Sequence, residues 1–261
     1  MMKTLFFNLF AIVLACLCVG CGKDSGLREL DLSTDSIVTD TVICLKKTGE
    51  PKATLHLNWK YITDEQYANI NKVLTETGLL PVGRADSLPC TPANMQHIIN
   101  ASVRQYAKDY LTTVRQILDQ EPDNPQQLNW TYAVDTQLKR GKDDNIVLQA
   151  TVELYEGGEN AVTYTVARNI QRKTCRILKL NDIFTQEQIS KLTDDIVSEL
   201  KSMEGCFSLE SLQEEGYFQG IEPYATENFI LTDNTITFIY IPGEIAPAEK
   251  GEIKVIVKYA E

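Results

Sequence analysis

The tightest constraint on the fold is a two-residue alternation of apolar and polar side chains that recurs along most of the chain. Leu55, Leu57 and Trp59 alternate with polar neighbours, and so do Leu128, Trp130, Tyr132, Val134 and Leu138. Ile146, Leu148, Ala150, Val152 and Leu154 follow, then Val162, Tyr164, Val166 and Ile170. Residues two apart share one face of a strand, so each run predicts a strand with one buried and one solvated face. Glu156-Gly157-Gly158-Glu159-Asn160 joins the last two runs, and its glycines supply the positive φ that a hairpin loop requires. After a stretch read as irregular from Phe207 to Thr226, Phe229 and Leu231 lead through Asp233-Asn234 to Ile236, Phe238 and Tyr240, and Ile253, Val255, Val257 and Tyr259 form a last strand.

Helical spacing interrupts these runs in three places. Thr63-Asp64-Glu65-Gln66 fits a capping box before the stripe Tyr67, Ile70, Val73 and Leu74. A longer helix begins near Pro92, and Pro122 and Pro125 end it; Met95, Ile98, Ile99, Val103, Tyr106, Tyr110 and Val114 recur on one side. Thr185-Gln186-Glu187-Gln188 opens a third, with Ile189, Leu192, Ile196, Val197 and Leu200 as its stripe and Gly205 past its end. Strands come in pairs without a repeated strand–helix–strand rhythm. The expectation is an α+β fold: a largely antiparallel sheet packed with about three helices, in two tandem modules over 41–145 and 146–261.

The N-terminal residues predict an address. A short positive start at Lys3 precedes an apolar stretch from Leu5 to Val19, broken only by Asn8, and Val19-Gly20-Cys21 closes it. This is the order of a secretory signal. A small residue before a cysteine resembles a lipobox, in which the thiol receives a diacylglycerol and becomes the mature N-terminus. Residues 1–20 are therefore read as a lipoprotein signal peptide and Cys21 as the lipidation site. Val13-Leu14-Ala15-Cys16 fits the same pattern, but Cys16 would leave apolar Leu17-Cys18-Val19 at the new terminus. An uncleaved anchor is the alternative, since the stretch is near the lower limit of about 17 residues for a spanning helix. Residues 21–40 are polar and acidic and are read as a flexible tether. The expected location is the cell envelope, with the body attached to the outer membrane by N-terminal acyl chains and either periplasmic or surface-exposed.

Net charge is −11, which disfavours nucleic acid because phosphate binding needs clustered Lys and Arg. Beyond Cys21 the cysteines are Cys44, Cys90, Cys175 and Cys206. An exported compartment permits disulfides between them, and free thiols acting as small apolar groups are an equal reading. Their spacings do not resemble a zinc site.

Tyr155-Glu156-Gly157-Gly158, Leu180-Asn181-Asp182-Ile183-Phe184, Asn228-Phe229-Ile230-Leu231-Thr232 and Glu244-Ile245-Ala246-Pro247 occur in that order before an alternating final strand. The set resembles the C-terminal domain of unknown function shared by the RsiV anti-sigma factor and the peptidoglycan deacetylase PdaC, as found in Bacteroides-type lipoproteins. The resemblance covers about 146–261, and 41–145 look like the module that usually precedes it. It implies an envelope domain without chemistry of its own that binds a protein, peptidoglycan or glycan partner. Asn160 stands near a position where that family often has His, and Pro242-Gly243-Glu244 lacks the aromatic common before the Glu.

The catalytic inventory is sparse. His56 falls on the polar face of a predicted strand and His97 off the main stripe of the long helix. Neither belongs to a His-Glu-x-x-His pattern, and there is no Gly-x-Ser-x-Gly elbow. Gly157-Gly158 lacks the Lys and following helix of a phosphate loop. No metal, cofactor or catalytic residue is predicted. Glu153, Glu156 and Glu159 cluster at one hairpin, so a glycan- or peptidoglycan-acting hydrolase using two carboxylates is the second reading. Ligand contact is expected on two loops, at Tyr155, Gly157, Gly158 and Asn160 and at Glu244, Ile245 and Pro247.

Overall fold

The alternating runs become the strands β3 (Lys52–Ile62), β4 (Trp130–Arg140), β5 (Ile146–Glu156) and β6 (Val162–Gln171) of one sheet in a computed structural model. The structure describes residues 26–46, 51–81, 88–120, 128–158 and 160–259. The predicted signal peptide, Cys21 and Glu159 lie outside the described residues. Two short strands, β1 (Arg28–Glu29) and β7 (Arg176–Ile177), and the long β2 (Thr34–Cys44) complete seven strands in the order β2-β3-β4-β5-β6-β7, with β1 beside β4. Among the described residues of this sheet only the β3–β4 pairing is parallel. A parallel neighbour needs a long crossover, and helices α1 (Ala68–Thr75) and α2 (Pro92–Gln120) provide it.

One face of this sheet is apolar, because Leu55, Leu57, Trp59, Val134, Leu148 and Val152 all point to it. Ile70 and Leu74 of α1 and Met95, Ile98 and Ile99 of α2 cover that face. At the far end of α2, Tyr110 and Val114 pack with Ile43, Ala53 and Leu128, and the Tyr110 hydroxyl donates to the Leu128 carbonyl at 3.1 Å.

A second core is built by α3 (Leu180–Ile183), α4 (Gln186–Glu204), α5 (Leu209–Glu214) and the three-stranded antiparallel sheet β10-β9-β8: β8 (Phe229–Leu231), β9 (Thr235–Tyr240) and β10 (Ile253–Lys258). The Thr185 side chain accepts from the Gln188 amide while Gln188 caps Thr185 in return, and Gly205 closes α4 at φ 70°. That cap geometry sets Leu192, Ile196 and Leu200 against Phe229, Phe238 and Val255.

The α+β class and its largely antiparallel sheets agree with the sequence reading, but three boundaries do not. Residues 26–40 are not a free tether. Their β2 portion pairs residue for residue with β3, Ile37 is buried, and Leu30 and Leu32 pack on the first core. The division at 145/146 falls inside the hairpin of β4 and β5, which are paired from Trp130↔Glu156 to Arg140↔Ile146. β5 and β6 therefore belong to the first sheet, and the second core begins at Leu180. The stretch 207–226, expected to be irregular, contains α5, started by the Ser208 side chain accepting from the Ser211 amide.

Two asparagines join the cores. The Asn169 amide donates to the Phe229 carbonyl at 2.7 Å and accepts from the Leu231 amide at 3.0 Å, so β6 and β8 are tied through a side chain that mimics a peptide group. Asn228 accepts from Ala167 N at 2.7 Å and donates to the carbonyls of Thr165 and Ile239 at 2.8 and 3.0 Å. Val147, Ala167, Ile230 and Ile239 fill the space between, with Leu27 against them. Glu252 accepts from the Thr165 hydroxyl at 3.1 Å and from its backbone amide.

Candidate functional site

A cleft of about 550 Å³ opens where the two sheets meet. Its walls come from the β4–β5 turn (Lys142, Asp143, Asp144, Asn145), the β6–β7 turn (Gln171, Arg172, Lys173), the edge of α3 (Asp182, Ile183), Leu178 and Leu231. Clefts at such junctions are common places for ligands, since two packed units leave a groove that neither fills alone.

Each wall has a local cause. Asp143 and Asp144 have φ of 50° and 62°, a left-handed conformation that short polar side chains tolerate best after glycine. The turn is closed by Gly141 N donating to Asn145 O at 2.8 Å. Position 141 must be glycine: a Cβ there would lie 2.7 Å from Val147 Cγ2 and 2.8 Å from the Leu231 carbonyl. The end of β8 can therefore reach the turn and form the cleft floor. Arg172 donates to both Asp31 carboxylate oxygens at 3.2 Å and to the Tyr67 hydroxyl at 2.6 Å, with its guanidinium 5.1 Å from the Tyr67 ring centre. The Arg172 bond lowers the Asp31 pKa below the ordinary aspartate value, and the Tyr67 and Asp31 contacts raise that of Arg172. Lys142 stands 5.0 Å over the ring of Tyr259, and Arg140 pairs with Asp144. Asp182 caps α3 by accepting from Lys179 N at 2.9 Å and lies 3.6 Å from Arg176. The rim is thus mixed in sign and partly self-paired, over an apolar base of Leu178, Ile183 and Leu231. Such a surface suits a polar ligand carrying both charges better than a purely apolar one.

None of the ligand residues proposed from sequence lines this cleft. Tyr155, Gly157, Gly158 and Asn160 lie at the opposite end of β5, which spans roughly 33 Å. Gly157 has φ 85°, as the hairpin requires, and Asn160 is exposed. Behind this hairpin Tyr106, Tyr132 and Tyr164 pack on the first core, with Tyr106 and Tyr132 rings 6.2 Å apart. Burial, helped by the Glu156 charge, pushes Tyr106 up to about 12 and raises Tyr164. Glu244, Ile245 and Pro247 follow β9, whose last residues run back toward the Thr165 level of β6. Glu244 accepts from the Tyr224 hydroxyl at 2.7 Å and from Ile241 N at 2.8 Å. Ile245 is buried and its carbonyl takes the Phe218 amide at 2.7 Å, while Pro247 covers Gly216 closely enough to forbid a Cβ there. These three residues brace the 216–221 segment and border a shallow depression.

Glu153 and Glu156 differ by an odd number of positions along β5 and so project from opposite faces of the sheet. They do not converge on one substrate. His56 lies between two carboxylates on the exposed face, Nδ1 2.7 Å from Asp40 and Nε2 3.6 Å from Asp135. No group of three or more His, Cys, Asp or Glu among the described residues is placed to hold a metal ion. Cys44, Cys90, Cys175 and Cys206 are free thiols, of which only Cys90 is buried. Among the described residues no helix is long and apolar enough to cross a membrane.

Asp182, Ile183 and Leu231 stand in motifs visible in the sequence, but the turn residues of the cleft escaped the sequence reading because nothing in a polar turn shows which other turn it will face. The signal available was the run Gly141-Lys142-Asp143-Asp144-Asn145, an unusually charged connection between two strands.

Comparison with known proteins agrees with this division of the chain. Residues 181–260 match the family model described as "Protein of unknown function (DUF3298)", which spans the second core from α3 to β10. The crystal structure of a DUF3298 family member from Bacteroides fragilis is similar over 89% of this chain and 92% of its own, with a TM-score of 0.70 and 22% identity. A DUF3298 family protein from Pseudomonas aeruginosa aligns over 87% and 91%, with a TM-score of 0.55 and 18% identity. At these identities the likeness establishes a common fold extending through both cores. No curated protein matches the chain.

Proposed function

We propose that this protein is a non-catalytic envelope lipoprotein, anchored by acyl chains on Cys21 in the outer membrane of a Bacteroides-type cell, which binds a polar envelope ligand in the junction cleft. The observation that carries the binding reading is the cleft itself: about 550 Å³ of open space with Lys142, Asp143, Asp144, Arg172 and Lys173 on its rim and an apolar floor. Peptidoglycan fits this chemistry, because its stem peptides carry carboxylates and amines on a short aliphatic backbone. The resemblance to the RsiV and PdaC C-terminal domain supports an envelope role, as does the common fold with a Bacteroides fragilis protein. The separation of Glu153 and Glu156 onto opposite faces weighs against a two-carboxylate hydrolase.

The test is retention of purified protein lacking residues 1–21 on insoluble peptidoglycan, compared with the double variant Asp143→Ala/Lys173→Ala. Retention that falls at least several-fold in the variant, with unchanged thermal stability, is the expected result. Equal retention of both proteins would remove the cleft from the reading, and release of soluble wall fragments by pure protein would replace binding with catalysis.

A further inference from the structure

We propose that the end of the molecule bearing the junction cleft rests against the lipid surface to which Cys21 is attached, with the β5–β6 hairpin pointing away from it. This rests on the acylation of Cys21 proposed above. The packed body begins almost at once after that cysteine. An ideal Cβ on Gly26 would already lie 3.3 Å from Thr232 Cγ2. Leu27 enters the apolar contact between the two cores. Arg28 donates to the Gly141 carbonyl at 3.0 Å and pairs with Asp233 at 3.4 Å, and Asp31 holds Arg172. The segment is therefore fastened to the very turns that form the cleft.

Five residue steps separate Cys21 from Gly26, and a fully extended chain covers at most about 18 Å in that distance. The cleft end is confined within that reach of the headgroups. The hairpin at Gly157–Gly158 lies farther off by roughly 33 Å, the length of β5. A ligand of the cleft would accordingly be met close to the bilayer, and the two distal loops would face soluble partners.

The experiment uses the full chain purified with its lipid and reconstituted into vesicles of phosphatidylethanolamine and phosphatidylglycerol that carry a headgroup quencher. A fluorescent unnatural amino acid replaces either Lys173, which is exposed, or Gly158, where a Cβ meets open space. Quenching several-fold stronger at 173 than at 158 is expected. An insertion of about 20 Gly/Ser residues after Gly22, whose mean span is roughly 25 Å, should abolish the difference while the protein still floats with the vesicles. Equal quenching at both positions, stronger quenching at 158, or a difference that survives the insertion overturns the orientation. Failure of the unaltered protein to float at all overturns the acylation reading and, with it, this proposal.

Discussion

Asn169 is enclosed to 1% exposure, yet both polar atoms of its amide are used, one for Phe229 O and one for Leu231 N. Replacing it with Ala leaves two buried backbone groups without partners, each worth about 1–3 kcal/mol. Asn169→Ala should lower stability by roughly 3 kcal/mol, read as a shift of the urea midpoint with unchanged slope. Gly141→Ala tests the neighbouring contact by a different mechanism. The added methyl must displace Val147 or the Leu231 carbonyl, and overpacking of this kind costs about 1–3 kcal/mol. Thermal denaturation should show that loss, whereas Gly158→Ala, with open space around the new Cβ, should be near neutral. Two of the sequence motifs acquire a physical meaning at this scale. Asn228 is a tie between sheets, and Asp182 caps α3; both are determinants of the fold.

At the scale of elements, carboxylates fasten segments together at exposed points. Asp31 holds the N-terminal segment to the β6–β7 turn through Arg172, and Glu204 at the end of α4 accepts from the Tyr217 hydroxyl at 2.7 Å and pairs with Lys250 at 3.2 Å. Both acids are held below their ordinary pKa, Asp31 by its Arg172 hydrogen bond and Glu204 by Tyr217 and then Lys250. A folded pKa below the unfolded one gives stability that is complete above the unfolded value and is lost as pH falls through the folded value. The melting temperature should therefore drop on acidification below about pH 4.5. Asp31→Asn should lower it at neutral pH and flatten part of the acid dependence. Solvent screening keeps each contribution small.

The elements with strong periodicity, β3 to β6, α2, α4, β9 and β10, were legible because each buries a full stripe. β2 was not. It is an edge strand with only Ile37 and Ile43 buried, and its Thr and Asp residues look like linker composition even though Ile37, Val38, Thr39, Thr41, Val42 and Ile43 suit a strand. The module boundary was misplaced for a related reason. β5 and β6 carry the same alternation whichever sheet receives them, and pairing partners are not encoded in the period. The candidate site was less legible still, because it is made by two turns that meet only after the second core docks.

For the whole molecule, the asparagine ties, the Glu252 bonds and the apolar contact around Val147 and Ile230 couple two otherwise separate cores. Trp59 and Trp130 both report on the first sheet. Their fluorescence and far-ultraviolet dichroism should follow one coincident urea transition in the unaltered protein. Separation of the two signals in the unaltered protein would mean that the cores fold independently. Mass spectrometry of the N-terminal peptide from native cells decides whether the body is held on a membrane by the proposed thiol-linked lipid. The expected product is a peptide beginning at Cys21 with diacylglycerol and acyl mass, absent in Cys21→Ser. A peptide beginning at an unmodified Met1, or an unacylated terminus in a protein recovered without membrane, would contradict it.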